Sequence, residues 1–169
     1  MRASLRAAAF GALRGADLEL EPGRYVVLSN ERDPLRDLVS LLAGREAPRS
    51  GSVLLDGMAP SAAPSARRKI AALLADESLP PARTVADSLG QALAARGDRT
   101  AEKPARLLAD AGLTHLLTLA PATLGQRELR SIALALALSH DAAELLALHE
   151  PLATHVPAAF VLARLDEHT

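Results

Sequence analysis

Residues 26–44 read VVLSNERDPLRDLVSLLAG: an apolar stretch, a short polar loop, and an amphipathic helical pattern closed by Gly44. A loop joining a strand to a helix N-terminus is a common seat for a phosphate, because backbone amides and the positive end of the helix dipole converge on it. This loop carries no glycine that would let the backbone curl around an anion, and no lysine opens the helix. Glu31, Asp33 and Asp37 put carboxylates where the anion would sit. Asp33 stands where a helix cap belongs and Pro34 where a first helical residue belongs, so Asp33 is expected to take the amides that a phosphate needs. Arg32 and Arg36 leave an anion-attracting loop as the alternative to a solvated loop of mixed charge.

Three other groupings have the residue types of a reactive site. HEPLATH at 149–155 holds two histidines and a glutamate, a donor set for zinc. The helical zinc motif H-E-x-x-H needs both histidines on one face, and here the spacing is longer and Pro151 interrupts it. Ser139, His140 and Asp141 are adjacent in sequence, whereas a nucleophile triad converges through the fold, so this run reads as a helix exit. ARRK at 66–69 is a solvated basic face with no aromatic residues to stack bases. The 169 residues carry a formal net charge of −1, with arginines interspersed among acids, which argues against a dedicated nucleic-acid binder. The absence of cysteine excludes disulfides, thiolate metal sites and cysteine nucleophiles.

The elements that position these residues follow from pattern. Hydrophobic residues make up 49% and aromatics 2%, so Leu, Val and Ala must fill the interior of what length suggests is one domain. The opening MRASLRAAAFGALRG is Arg-rich and free of acids like a transit peptide, but Gly11 and Arg14 break its apolar run, and it reads as a first strand and its turn. ADLELEPGRYVVLS alternates to Leu20, turns at Pro22 and Gly23, and resumes as a buried strand over 25–28. Leu35, Leu38, Val39 and Leu42 form one helical face. A strand over 53–55 precedes a turn at Asp56 and Gly57, and a strand over 71–74 precedes a loop fixed by Pro80 and Pro81. A helical block follows with stops at Gly97, Gly112 and Pro121. ELRSIALALALSHD reads as a helix apolar nearly all round, AELLALHEP as a strand, and PAAFVLARLDEHT as a last helix. Alternating strands and helices predict an α/β fold with a largely parallel sheet. The longest apolar run, SIALALALS, is far shorter than the roughly twenty residues a membrane helix needs, so a soluble intracellular protein is expected.

In order, LELEPGRYVVLS, LLAGREAPRSGSVLLDG, IAALLADESLPPARTV, LGQRELRSIALALAL and ELLALHEPLATHVPAA resemble the ATP-binding cassette domain of ABC transporters over nearly the whole chain. The resemblance implies a P-loop-NTPase-like core sheet, residues 1–84 and 129–169, with an inserted helical subdomain at about 85–128. The family's last strands and its switch histidine are lacking, and His168 does not match the latter. It further implies a dimer that sandwiches ATP between one subunit's phosphate loop and the other's signature motif. The family's phosphate loop, G-x-x-G-x-G-K-[ST]-[ST], falls on 29–37. Ser29, Arg32 and Pro34 stand at its glycines, Leu35 at its lysine, and Arg36 and Asp37 at its two hydroxyl residues. The chain has only two lysines, Lys69 and Lys103, and neither follows a glycine-rich turn. Losing the lysine and several amide contacts removes about 5 kcal/mol or more, enough to turn a micromolar site into one worse than millimolar.

The other motifs implied by the resemblance depart in parallel. Asp76 stands at the glutamine-loop position. Leu124, Gly125, Gln126, Arg127 and Glu128 cover the signature L-S-G-G-[QE]. Arg127 replaces its second glycine and either fills the space a partner's phosphate must enter or meets that phosphate as a cation. His149 stands at the Walker B aspartate and is a poor ligand for magnesium. Glu150 matches the catalytic base, and Val156 stands at the D-loop aspartate. Phe10 stands where the family stacks adenine on an aromatic, with core packing as the other reading. The expected function is a catalytically inactive ABC-ATPase-like subunit acting as a binding, scaffold or regulatory partner, without ATP or magnesium as cofactor. The alternative is a weakly active ATP-binding subunit of an ABC transporter, hydrolysing ATP with magnesium and Glu150 as base. Expected partners are an active ABC ATPase subunit, a membrane permease or a complex that borrowed the fold, as a homo- or heterodimer, with no nucleic acid and no direct membrane insertion. The expected location is cytoplasmic, peripheral at the inner face of the membrane through a permease.

Overall fold

The computed structural model describes residues 1–76, 78–151 and 153–167. β1 (Ala3–Phe10) runs antiparallel to β2 (Leu13–Leu20), joined at Gly11 and Ala12. Ala3 and Leu5 of β1 are buried, and the alternation then slips to Ala8. A bulge between Leu5 and Ala8 causes the slip: Ala7 takes a φ of 46°, and its N–H donates to Asp17 Oδ1 at 2.8 Å. β3 (Ser50–Leu55) pairs antiparallel with the other edge of β1, giving the order β2-β1-β3. The Asp56–Gly57 turn forms where the sequence predicts it, closed by paired backbone hydrogen bonds of 2.8 and 2.9 Å between Leu55 and Met58.

α1 (Arg32–Leu42) lays Leu38, Val39, Leu41 and Leu42 into the same core as Leu5, Val53 and Leu55. After α2 (Pro64–Arg67), β4 (Ile70–Leu73) pairs in parallel with β5 (Leu145–Leu148), with Ile70 opposite Leu145 and Leu73 opposite Leu148. Residues 1–74 and 142–149 form one compact unit around these elements.

The second unit, 75–141 with the chain from 150 onward, is helical. It contains α3 (Val85–Ala95), α4 (Lys103–Asp110), 3-10 turns at Thr114–Leu116 and Pro121–Thr123, α5 (Gln126–Leu138) and α6 (Ala158–Glu167). α3 starts at Thr84, whose Oγ1 accepts the Asp87 N–H at 3.1 Å, while the Leu119 and Leu117 carbonyls take the Val85 and Ala86 N–H groups. α4 packs on α3 and α5, and α6 packs on α5. α5 is buried from Arg130 through Leu138, as its all-round apolar sequence predicts. Arg96 closes α3 onto α5 by donating to the Leu136 carbonyl at 2.7 Å. A hydrogen bond from Lys103 Nζ, 2.6 Å away, together with the Thr100 amide, holds the Asp98 carboxyl at about 2 from its ordinary 3.8.

Two expectations change. Residues 25–28 are not a strand: Tyr25, Val26, Val27 and Leu28 are 52, 86, 43 and 85% exposed, and no described strand pairs with them. Their apolar character on both faces suits a strand between neighbours in a parallel sheet, but β4 and β5 pair with each other. The sheet is not largely parallel, because β1, β2 and β3 bind by antiparallel pairing. The second unit holds α5 and α6 as well as residues 85–128, with α5 packed on α4 and α6 on α5.

Candidate functional site

α1 begins at Arg32, earlier than expected, with an extended Glu31 at its N-cap and no side-chain cap. Asp33 and Pro34 therefore lie inside the first turn, where a proline sacrifices no helical hydrogen bond. This corrects the capping role expected of Asp33, whose carboxylate lies 3.5 Å from Arg36 Nη1 instead. Ser29 Oγ accepts the Glu31 N–H at 3.1 Å. Ser29 and Arg32 are exposed, while Pro34, Leu35 and Arg36 are half-buried.

Asp37 departs most from the sequence reading. It is 3% exposed, and its Oδ2 accepts the Ala12 N–H at 2.6 Å. Gly11 takes a φ of 55°, and a Cβ there would collide with the Asp37 carboxylate. The acid of α1 thus anchors the β1–β2 turn, and glycine at position 11 is what lets it approach. The sequence reading left Asp37 as one of three loop carboxylates repelling an anion; the structure turns it inward as a fastening. Arg36 is shared between two carboxylates, with its Nε 3.4 Å from Asp37 Oδ1 in addition to the contact with Asp33. Its charge is thereby neutralised locally.

Phe10 is partly buried and packs against the core of the first unit. His149 is buried at the end of β5, its N–H donating to the Leu73 carbonyl at 3.0 Å. Asp76 and Glu150 are exposed. Glu150 adopts a φ of 45°, and its carbonyl accepts from Ala153 N–H at 3.0 Å.

At the signature positions, Glu128 Oε2 reaches back to accept the Gly125 N–H at 2.7 Å, closing the start of α5. Gln126 Nε2 donates to the Ala75 carbonyl at 3.2 Å. Arg127 Nη2 donates to the Thr154 carbonyl at 3.3 Å, so this guanidinium is engaged with the protein's own backbone. Leu124 is half-buried ahead of the helix. Sequence reasoning missed Arg130. It is buried, and it donates to the Ala75 carbonyl at 3.2 Å and the Glu150 carbonyl at 3.3 Å. The available signal was spacing: Gln126, Arg127, Arg130 and Ser131 share one face of a helix that is apolar from Ile132 to Leu138.

No family model matches the chain. Over 134 residues, 76% of its length, the chain is 31% identical to the Fe(3+) ions import ATP-binding protein FbpC of Mesorhizobium japonicum, and it spans 37% of that protein. A solved ATP-binding subunit of an ABC transporter superposes with a TM-score of 0.69 at 20% identity, over 99% of this chain and 75% of the other. An ATP-binding cassette solved as a dimer in a post-hydrolysis state with ADP and Pi gives 0.71 at 16% identity, over 98% and 82%. The fold is that of an ABC ATP-binding cassette domain.

Within this cassette fold, the phosphate-loop positions 29–37 and His149 belong to the first unit, whereas Asp76, the signature positions and Glu150 belong to the second. Val156, at the D-loop position, is buried in the second unit, and His168 lies outside the described residues. Positions 29–37 of the cassette offer carboxylates, arginines and a proline, and no lysine. Among the described residues, no cluster of acids and histidines is placed to hold a metal ion, and no helix is long and apolar enough to cross a membrane.

Proposed function

We propose that the chain is a catalytically inactive cassette subunit that serves as a binding, scaffold or regulatory partner. The observation that carries this reading is Asp37. Asp37 stands at the second of the two hydroxyl positions, is buried and is bonded to Ala12, so it fastens the fold where the family pattern has a hydroxyl residue of the phosphate loop. The absence of a lysine and the pairing of Arg36 with Asp33 and Asp37 support the same conclusion. These residues do not fit a magnesium nucleotide, whose outer phosphates need lysine, amide and metal contacts together. Partners of matching kind are an active ABC ATPase subunit, a membrane permease or a complex that uses the fold for assembly. Through a permease the chain would sit at the cytoplasmic face of the membrane, as one half of a homo- or heterodimer.

A second reading is favoured by Glu150, which is exposed at the catalytic-base position. It makes the chain a weakly active subunit that hydrolyses ATP to drive transport. Phosphate release from magnesium-ATP by the purified chain and by Glu150→Gln separates the two. Release at buffer background in both proteins is the expected result, and release that disappears in Glu150→Gln establishes the second reading.

A further inference from the structure

We propose that the first two turns of α5 form a standing latch, in which Gln126, Arg127, Arg130 and Ser131 hold the backbone at Ala75, Glu150, Thr154 and His155 in one conformation without any ligand. This goes beyond the proposed function and holds whether or not a nucleotide binds. Five hydrogen bonds compose the latch within the second unit. Gln126 and Arg130 converge on the Ala75 carbonyl, each at 3.2 Å. Arg130 extends its other terminal nitrogen to the Glu150 carbonyl at 3.3 Å, and Arg127 takes the Thr154 carbonyl at 3.3 Å. Ser131 Oγ accepts the His155 N–H at 2.8 Å while donating to the Arg127 carbonyl at 2.7 Å.

The chemistry suits permanent closure. A guanidinium keeps its proton throughout the accessible pH range, and its planar fork reaches two acceptors that an ammonium cannot bridge in the same way. Arg130 is only 8% exposed, so its donors must be satisfied by the protein, and the carbonyls of Ala75 and Glu150 supply acceptors. The latch also explains a backbone irregularity. Glu150 sits in the left-handed region, which side chains disfavour, and such a conformation persists only where its surroundings over-determine it. Two donors on the Glu150 carbonyl, from Arg130 and Ala153, do so. Thr154 and Val156 are buried on either side of the exposed His155, so the segment is pinned by side chains as well as by its carbonyls.

Amide hydrogen exchange of the full chain, read by peptide mass spectrometry, tests the latch. In Arg127→Met/Arg130→Met, exchange of peptides spanning 150–156 is expected to accelerate about ten-fold or more while peptides from α3 and α4 keep their wild-type rates. Arg130→Lys is expected to accelerate the same segment less. Should the double variant fail to fold, Gln126→Ala/Arg127→Met removes two solvent-side bonds and is expected to show the same localised acceleration. Wild-type exchange over 150–156 in a folded variant overturns the proposal, as does an equal acceleration in α3 and α4.

Discussion

Asp37→Ala is expected to lower the unfolding free energy by about 3 kcal/mol. A hydrogen bond to a charged group contributes roughly 1.5–3 kcal/mol, and removing the acceptor also leaves the Ala12 N–H without the partner it has at 2.6 Å. The vacated space beside Gly11 adds a smaller cavity cost, because the glycine has no side chain to collapse into it. Asp37→Asn keeps an acceptor at the same place and is expected to cost about 1 kcal/mol, the difference between a charged and a neutral hydrogen bond. Urea unfolding followed by circular dichroism checks both. A loss below about 0.5 kcal/mol in Asp37→Ala would mean that the acid does not fasten the turn, since surface substitutions fall in that range.

Gly51→Ala is expected to be equally severe, at about 3 kcal/mol or more. Gly51 has a φ of 74°, and an added Cβ would collide with the carbonyls of Arg6 and Ala7 on the neighbouring strand. The conformation alone costs roughly 1–2 kcal/mol for an L-residue. The remainder comes from the collision, which involves backbone and has no flexible side chain to yield. Relief requires β1 and β3 to separate near the bulge, where Ala9 pairs with Ser50. The same unfolding measurement reads the effect, and a thermal midpoint within a degree of wild type would contradict it.

The parts of the fold legible in the sequence are those set by local pattern. The helical face of Leu38, Val39 and Leu42, the Asp56–Gly57 turn and the all-round apolar α5 depend on spacing within a few residues, and they form where that spacing puts them. Residues 25–28 differ because strand formation requires neighbours, and alternation or β-branching cannot supply a ladder partner. Asp37 was readable as an acid in the right place, but its burial depends on Ala12, 25 positions earlier and next to the glycine that admits it. Arg130 was hidden for a similar reason: its acceptors are backbone carbonyls at Ala75 and Glu150, which no side-chain motif marks. The order of segments carried the cassette fold because the succession of local patterns along the chain is itself specific.

The proposal that structural contacts stand in place of a nucleotide site is tested most directly by thermal unfolding of the intact chain in magnesium-ATP, with magnesium and sodium sulfate of matched ionic strength as the reference. A ligand present at 100 times its dissociation constant stabilises the folded state by about 2.7 kcal/mol, which moves the midpoint of a protein of this size by several degrees. With Leu35 where a lysine would stand and Asp37 bonded to Ala12, the midpoint is predicted to be the same in both solutions at millimolar nucleotide. A rise of several degrees specific to magnesium-ATP would show that the chain still holds the ligand.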